Sequence, residues 1–213
     1  MIDRDILKIE NWLTKSEMSD IDNELLEIGK NLKKIVNKNK SGNIISKYAR
    51  IYIYDYYVDN IDKSKIIYII KSNLFNVKIF NILDDLVREP LLRLIRFSTH
   101  DELQYTVYEQ GGNYVWHVDS SKPNMNQLAP HNRVANFIYY LNDDFEGGEL
   151  ELSYSRDIDI TVGDSSIIHN PPISKIIKPK KNTLVIMPSD MWHRVKPIIK
   201  GKRRTINGHI GFK

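Results

Sequence analysis

From residue 103 to the C-terminus, the sequence consists of short segments rich in β-branched and aromatic residues, separated by Gly, Pro, Asn and Asp. These segments predict strands, because such residues favour extended backbone and the separators favour turns. The predicted strands span 103–109, 114–118, 134–141, 148–153, 158–162, 173–178, 183–187, 194–199 and 204–212. About eight or nine short strands in about 110 residues are typical of a jelly roll or a barrel-like sandwich. We therefore predict a jelly-roll core, or double-stranded β-helix, over residues 101–213.

Residues 1–100 have a different, mainly helical pattern. Apolar residues recur at helical spacing after Ser16, a candidate N-cap, and predict one long amphipathic helix ending near Asn37. A strand is predicted at 49–54. Further helices are predicted at 61–72 and 76–96, the latter interrupted by Pro90. With no repeat and no linker in the sequence, we expect a single domain over 1–213, in which the helices brace a mostly β core (an α+β fold).

Composition limits the environment and the type of metal site. The chain has 213 residues and no cysteine, so neither a disulfide nor a thiolate metal site is available. The net charge of +4 is modest and looks spread along the chain, which gives little support for nucleic-acid binding. The apolar runs are too short for a membrane span. We expect a cytoplasmic protein without membrane association, and the oligomeric state is left open.

Three residues have the pattern of a metal site. Residues i and i+2 of a strand point to the same face, so His117 and Asp119 can offer an imidazole and a carboxylate to one ion. His193, which follows a loop at the start of a later strand, can complete a triad. Two His and one carboxylate with open coordination positions are the ligand set of non-haem Fe(II) oxygenases. The pair alone is a weak signal in a chain with six histidines, and His169 competes as the third ligand.

Arg203, ten residues beyond His193, suggests an anionic co-substrate. A buried guanidinium needs a partner, and a carboxylate satisfies it with two charge-assisted hydrogen bonds. Thr205 would lie on the same strand face, so Arg203 and Thr205 together could bind one end of a dicarboxylate. Arg204 would point the other way, to solvent.

Ordered motifs across the second half of the chain resemble the prolyl 4-hydroxylase-like branch of the Fe(II)/2-oxoglutarate-dependent dioxygenases. The residues that carry the resemblance are Leu103-Gln104-Tyr105-Thr106-Val107-Tyr108, Gly111, Tyr114, His117, Asp119, Arg133, Phe137-Ile138-Tyr139-Tyr140-Leu141-Asn142-Asp143, Phe145-Glu146-Gly147-Gly148-Glu149-Leu150, Lys178-Pro179, Pro188-Ser189, His193-Arg194-Val195, Pro197 and Gly201-Lys202-Arg203. Two departures are Asn182 in place of a turn glycine and His209 where many relatives have Trp. Asn tolerates the left-handed conformation, so the turn can form.

The resemblance implies a function and further site residues. His117, Asp119 and His193 would bind Fe(II), and Arg203 would bind the distal carboxylate of 2-oxoglutarate. Tyr140 and Tyr108 would hydrogen-bond the same co-substrate, with barrel core as the alternative. The reaction would consume O2 and yield succinate and CO2, with ascorbate as a possible accessory reductant, and would hydroxylate a prolyl residue in a peptide or protein.

Other substrates and functions stay open at this level. Tyr114 and Trp116 could line the substrate entrance or belong to an aromatic core. The polar loop at 120–132 fits either a substrate lid or an unstructured connection. A free amino acid, a small metabolite or an alkylated nucleic acid are alternative substrates, although a second Arg used by base demethylases is missing after Arg204. A non-enzymatic jelly-roll binding module would have no need of all four residues together.

Overall fold

The computed structural model describes residues 6–57, 59–74, 95–96, 103–119, 133–154 and 171–212. Its strands are β1 (Leu7–Glu10), β2 (Lys33–Lys38), β3 (Ile44–Tyr52), β4 (Ile95–Arg96), β5 (Gln104–Tyr108), β6 (Asn113–His117), β7 (Arg133–Tyr140), β8 (Glu146–Gly147), β9 (Leu150–Ser153), β10 (Lys175–Ile177), β11 (Thr183–Pro188), β12 (Trp192–Val195), β13 (Ile198–Lys200) and β14 (Arg203–Phe212). The helices are α1 (Lys15–Ile28), α2 (Ile53–Tyr56) and α3 (Lys65–Leu74), with short 3₁₀ turns at Gly29–Asn31 and Ile61–Lys63.

The strands pair antiparallel and form the predicted jelly-roll core. Twelve strands join in one strongly curved sheet, with the order β1-β11-β7-β14-β5-β3-β6-β12-β9-β10; β2 pairs with β3, and β4 with β14. β8 and β13 form a separate pair. The predicted strands at 103–109, 114–118, 134–141, 148–153, 173–178, 183–187 and 204–212 are found with small shifts in their ends. The predicted segment 194–199 is divided between β12 and β13, because Pro197 offers no N–H to a ladder.

Several predictions fall on parts of the chain that are not described. These are the strand at 158–162, the loop at 120–132, His169 and the helix at 76–96 except its last two residues, which form β4. The division of the chain at about residue 100 also stays a prediction. Within the described residues, no helix is long and apolar enough to cross a membrane.

The long N-terminal helix was predicted wrongly at both ends. Thr14, not Ser16, is the N-cap, and it forms a capping box with Glu17. The helix ends at Ile28, and the residues predicted to continue it form strand β2 instead. Pairing with β3 supplies the backbone of β2 with hydrogen bonds, and Ile35 packs against the cluster around Tyr48. Tertiary pairing thus overrides a spacing of apolar residues that fits either element. β3 ends at Tyr52, because Ile53 and Tyr54 belong to α2.

The strand β7 separates two apolar clusters. Phe137 and Tyr139 face the helices and pack with Ile28 of α1. Ile138 and Tyr140 face the barrel interior. The same alternation in β14 directs Ile206 to the helical side and Arg203 to the pocket. The helices therefore cover the outer face of the sheet, and the interior face is left for polar residues of the site.

One stability prediction follows from this packing. Ile28→Ala should lower the free energy of unfolding by about 2–5 kcal/mol, because it opens a cavity between α1 and the sheet at a fully buried position. Leu26 lies on the same helix and is 70% exposed, so Leu26→Ala should change the stability by no more than about 0.5 kcal/mol. Urea unfolding of both variants measures the difference. Equal losses would show that α1 does not brace the sheet.

Candidate metal and co-substrate site

The structure brings His117, Asp119 and His193 together. β6 and β12 pair with His117 directly opposite His193, and the two imidazole ring centroids are 4.0 Å apart. Asp119 lies just beyond β6. Its Oδ1 is 3.6 Å from His117 Nε2, and its Oδ2 is 3.4 Å from His193 Nε2. One donor atom from each residue falls within 4.8 Å of the others. A single cation can therefore contact all three residues.

The two imidazoles are oriented by backbone carbonyls. Nδ1 of His117 lies 2.8 Å from the carbonyl oxygen of Val115, and Nδ1 of His193 lies 2.9 Å from that of Met191. A carbonyl only accepts hydrogen bonds, so each Nδ1 carries the proton. This leaves both Nε2 atoms directed toward Asp119, which is the orientation that metal-binding histidines adopt.

The protonation states also suit a cation. Burial lowers the pKa of His117 to about 4, and the nearby His193 contributes in the same direction. Burial also acts to lower the pKa of His193, but the charge of Asp119 outweighs it and raises that pKa. Burial would raise the pKa of Asp119, yet the contact with His193 holds it well below its usual range. Asp119 is thus anionic and His117 neutral at neutral pH, and a metal ion competes with a proton at His193.

A polar network that the sequence did not suggest holds Asp119 in place. Nδ2 of the buried Asn136 donates to Asp119 Oδ2 over 2.6 Å. The side-chain amide oxygen of Asn136, Oδ1, accepts hydrogen bonds from Ser189 Oγ at 2.9 Å and from His209 Nδ1 at 2.8 Å. These partners fix the orientation of the amide. The strand alternation that directs Ile138 and Arg203 inward also directs Asn136 and His209 inward, and this signal could have identified them.

Asn136 should therefore be needed for strong metal binding. Asn136→Ala should weaken the affinity for Co(II), an air-stable substitute for Fe(II), by about 10–100-fold, because the carboxylate loses the partner that orients it. Calorimetric titration of the metal-free protein measures this. Asn73 on α3 is half-buried and donates to Glu17 and to the Ile69 carbonyl oxygen, away from the pocket, so Asn73→Ala is the control. An unchanged affinity in Asn136→Ala would contradict the orienting role.

Arg203 lies at the same pocket and is short of partners. Arg203 is 1% exposed, and its Nη2 lies 3.5 Å from the hydroxyl oxygen of Tyr140. Its Nε has no hydrogen-bond partner in the part of the chain that the structure describes. Among the described residues, no carboxylate lies within ion-pair distance of the guanidinium. A buried, unpaired charge is costly, so the pocket is suited to an anionic ligand at this end.

The other residues predicted for the co-substrate lie around Arg203. The rings of Tyr108 and Tyr140 have their centroids 5.1 and 5.0 Å from the guanidinium carbon. Burial raises the pKa of the Tyr108 hydroxyl, which therefore stays protonated and able to donate. Thr205 is fully buried, and its hydroxyl has no hydrogen-bond partner among the described residues. Tyr108 lines the pocket, whereas Tyr140 and Thr205 lie behind its surface.

The Gly147-Gly148 turn supports Arg203 sterically. A Cβ on Gly148 would lie 2.4 Å from Ile198 Cδ1 and 3.1 Å from Arg203 Cδ, and the residue has φ +67°. Only glycine accommodates both this conformation and this close approach. The Gly147-Gly148 turn thus has a role in the site beyond connecting two strands.

The two aromatic residues beside the metal motif have different positions. Tyr114 lines the pocket, with its ring centroid 4.0 Å from that of His117. Burial, with Tyr48 and Asp119 nearby, raises the pKa of Tyr114 to about 12. Trp116 lies on the opposite face of β6, beneath the guanidinium of Arg194 at 4.9 Å. The structure does not bring Trp116 to the pocket.

The pocket fits a metal ion and a small dicarboxylate together. Its volume is about 210 Å³, and its lining includes His117, Asp119 and His193 as well as Arg203. This volume is below the range of about 300–1,000 Å³ typical of sites for drug-sized ligands. The nitrogen and oxygen donor atoms of His117, Asp119 and His193 lie together in one part of the cavity. The guanidinium of Arg203 lies in another part. The donor set and the buried guanidinium are what Fe(II) and 2-oxoglutarate require.

Comparisons with known proteins identify the family. The model of the 2OG-Fe(II) oxygenase superfamily matches residues 103–211, just over half of the chain. The chain therefore belongs to this superfamily, whose members are dioxygenases that use Fe(II), 2-oxoglutarate and O2. No curated protein sequence matches the chain significantly.

Solved structures of prolyl hydroxylases share the fold. A Trichoplax adhaerens prolyl hydroxylase, in complex with a peptide fragment of the hypoxia-inducible factor oxygen degradation domain, has 16% identity and a TM-score of 0.65 over 99% of this chain and 84% of that chain. A Pseudomonas putida prolyl-4-hydroxylase has 14% identity and a TM-score of 0.62, covering 98% and 93%. The viral collagen prolyl hydroxylase of Paramecium Bursaria Chlorella virus-1 has 18% identity and a TM-score of 0.58, covering 98% and 96%. At such identities the similarity shows the fold.

Proposed function

We propose that this dioxygenase hydroxylates a prolyl residue in a peptide or protein. In this proposal His117, Asp119 and His193 bind Fe(II), and Arg203 binds the distal carboxylate of 2-oxoglutarate. The observation that carries the assignment of these four residues is the buried, unpaired guanidinium of Arg203 in the same small pocket as the His-Asp-His cluster. The shared fold with prolyl hydroxylases supports the choice of substrate.

The protein side chains position and shield the reactants. When Fe(II) and 2-oxoglutarate are bound, they supply the oxidising chemistry, in which O2 and 2-oxoglutarate are converted to succinate and CO2 and one oxygen atom enters a C–H bond. Arg203 would neutralise the distal carboxylate, and the hydroxyls of Tyr108 and Tyr140, whose rings lie beside the guanidinium, would hydrogen-bond the same group. Apolar side chains such as Met187 and Val195 exclude water from the rest of the pocket.

Tyr114 is the residue that we assign to the substrate side. Its ring lies against His117 and is stacked on Tyr48, with ring centroids 5.4 Å apart. An aromatic surface beside the metal site suits the compact, apolar ring of proline. Ascorbate as accessory reductant and a cytoplasmic location stay predictions.

The substrate is tested by following the oxygen atom. The protein is incubated with Fe(II), 2-oxoglutarate, ascorbate and a panel of prolyl peptides in air, and the products are sequenced by mass spectrometry. We expect one peptide class to gain a single oxygen on proline, with one succinate formed per oxygen transferred. Oxygen transfer to free amino acids or to alkylated oligonucleotides, with none to any prolyl peptide, would overturn the prolyl assignment and leave the dioxygenase class intact.

A further inference from the structure

Contrary to the expectation that the positive charge is spread along the chain, it is dense in two segments, residues 28–54 and residues 175–204. The second segment contains ten basic residues and one acidic residue, and five of its basic residues pair with carboxylates: Lys180, Arg194, Lys196, Lys202 and Arg204. Residues 28–54 contain seven of the 31 basic residues and none of the 27 acidic ones. The remaining 24 basic and 27 acidic residues give the rest of the chain a net charge of −3. Residues 28–54 include β2, β3 and the turn between them, and we name this segment the basic hairpin.

Within the described residues, the charges of the basic hairpin have few acidic partners; Lys34 and Lys47 act only as secondary causes of the lowered pKa of Glu109, which bonds Lys202. Lys33, Lys34, Lys38, Lys40 and Lys47 are all exposed, and none forms an ion pair within the described part of the chain. Lys30 pairs with Glu27. The half-buried Arg50 contacts Gln104 and the rings of Tyr48 and Tyr52 instead of a carboxylate. The field of the hairpin is therefore directed to solvent.

The basic hairpin is continuous with the mouth of the candidate active site. Tyr48, Arg50 and Tyr52 of β3 line the same pocket as His117 and Asp119. β3 also pairs with β6, the strand that ends in His117. Lys33 is directly opposite Arg50 in the β2–β3 ladder, so both side chains are on the pocket side of the sheet. A chain leaving the pocket across this face would meet Arg50 first and Lys33 next.

Two features favour an acidic polypeptide over a nucleic acid. Single-stranded nucleic acids bind to exposed aromatic rings on which bases stack, and the exposed apolar residues of the hairpin are the aliphatic Val36 and Ile44. In the described residues, β2 pairs only with β3. Its other edge can accept an extended peptide. Lysines at such an edge discourage pairing with a second copy of the same edge. Because their charge attracts carboxylates, they favour an acidic strand over a neutral or basic one.

We propose that the basic hairpin is a docking surface for an acidic stretch of the polypeptide that is hydroxylated. The proposal rests on the proposed function, because it places the acidic stretch next to a residue held in the pocket. It adds the chemical class of the substrate, which is a polypeptide with Asp and Glu flanking the target residue.

The test is direct binding to metal-free protein, which does not depend on turnover. The probe is a fluorescein-labelled peptide with one proline flanked by glutamates, compared with the same peptide carrying glutamines. We expect the glutamate peptide to bind more tightly by about ten-fold or more at low salt, and the preference to disappear at high salt. The triple variant Lys33→Gln, Lys38→Gln, Lys40→Gln should weaken this binding about ten-fold, as three exposed charge contacts predict.

A matched control separates local recognition from net charge. Lys15, Lys63 and Lys178 are also exposed but lie outside the basic hairpin, so their triple replacement by Gln makes the same charge change and should leave the preference unchanged. Three results would overturn the proposed docking surface. The two peptides could bind equally, the two triple variants could have equal effects, or an oligouridylate could bind more tightly than the glutamate peptide. Succinate formation with a neutral prolyl peptide would then show that the proposed function still holds.

Discussion

Replacing Arg203 with Met should raise the KM for 2-oxoglutarate by about two orders of magnitude. Two charge-assisted hydrogen bonds to a carboxylate contribute about 1.5–3 kcal/mol each, and a loss of about 3 kcal/mol corresponds to about a hundred-fold in affinity. The measurement is succinate formation as a function of 2-oxoglutarate concentration. The effect is large because the guanidinium is buried and lacks a carboxylate partner among the described residues.

The same substitution should not destabilise the ligand-free protein. The buried charge of Arg203 is uncompensated, and an apolar side chain of similar length removes that cost. The free energy of unfolding in urea should therefore be unchanged or higher in Arg203→Met. A structural arginine would show the opposite pattern, with lower stability and an unchanged KM for 2-oxoglutarate.

Arg204 provides the control for this experiment. It is the next residue, is half-buried, and lies 3.7 Å from a carboxylate oxygen of Asp22 on the helical side of the sheet. Arg204→Met removes the same charge without touching the pocket, so the KM for 2-oxoglutarate should stay within about two-fold of the wild-type value. A large increase in KM for Arg204→Met would mean that net charge, not a local contact, governs co-substrate binding.

Asp119→Ala should abolish both tight metal binding and turnover. Loss of a residue that only orients a metal ligand lowers metal affinity by about 10–100-fold, so loss of the carboxylate itself should exceed about a hundred-fold. Calorimetry with Co(II) measures the affinity, and succinate formation at saturating 2-oxoglutarate measures the turnover.

The control for Asp119→Ala is Asp144→Ala. Asp144 is an exposed carboxylate that accepts a hydrogen bond from Asn142 in a surface turn, and its removal should leave metal affinity unchanged. A protein that keeps its Co(II) affinity and turnover in Asp119→Ala would require a different metal site. A binding module would instead keep its organic ligand after this substitution.

The sequence predicted those parts of the structure that depend on local patterns. Period-2 alternation and turn residues located most of the strands after residue 103, and the same alternation placed Arg203 inward and Arg204 outward. His117, Asp119 and His193 come together because β6 and β12 pair in register at the two histidines. The pairing of β6 with β12 is non-local and cannot be read from a local pattern. The resemblance of the ordered motifs to a known family predicted that the three residues come together.

Other features depended on tertiary pairing that no local pattern encodes. Residues 33–38 have apolar spacing compatible with a helix, and pairing with β3 makes them a strand. Asn136 and His209 meet only because β7 and β14 are neighbours in register. Trp116 alternates with His117 along β6, so the two side chains point to opposite faces. The concentration of charge in residues 28–54 was readable in the sequence, but its significance depends on the position of β3 at the pocket.

Release of CO2 from 2-oxoglutarate labelled at C1 tests whether the four residues form one catalytic site. Wild-type protein, Asp119→Ala and Arg203→Met are each assayed with Fe(II), ascorbate and O2, at a 2-oxoglutarate concentration near the wild-type KM. We expect release by the wild type to depend on iron and O2 and to match succinate formation, and release by both variants to fall to background. Two results would contradict the assignment of the four residues to one catalytic site. One is that iron-loaded wild-type protein releases no CO2 with any prolyl peptide or amino acid, and the other is that Asp119→Ala releases as much CO2 as the wild type.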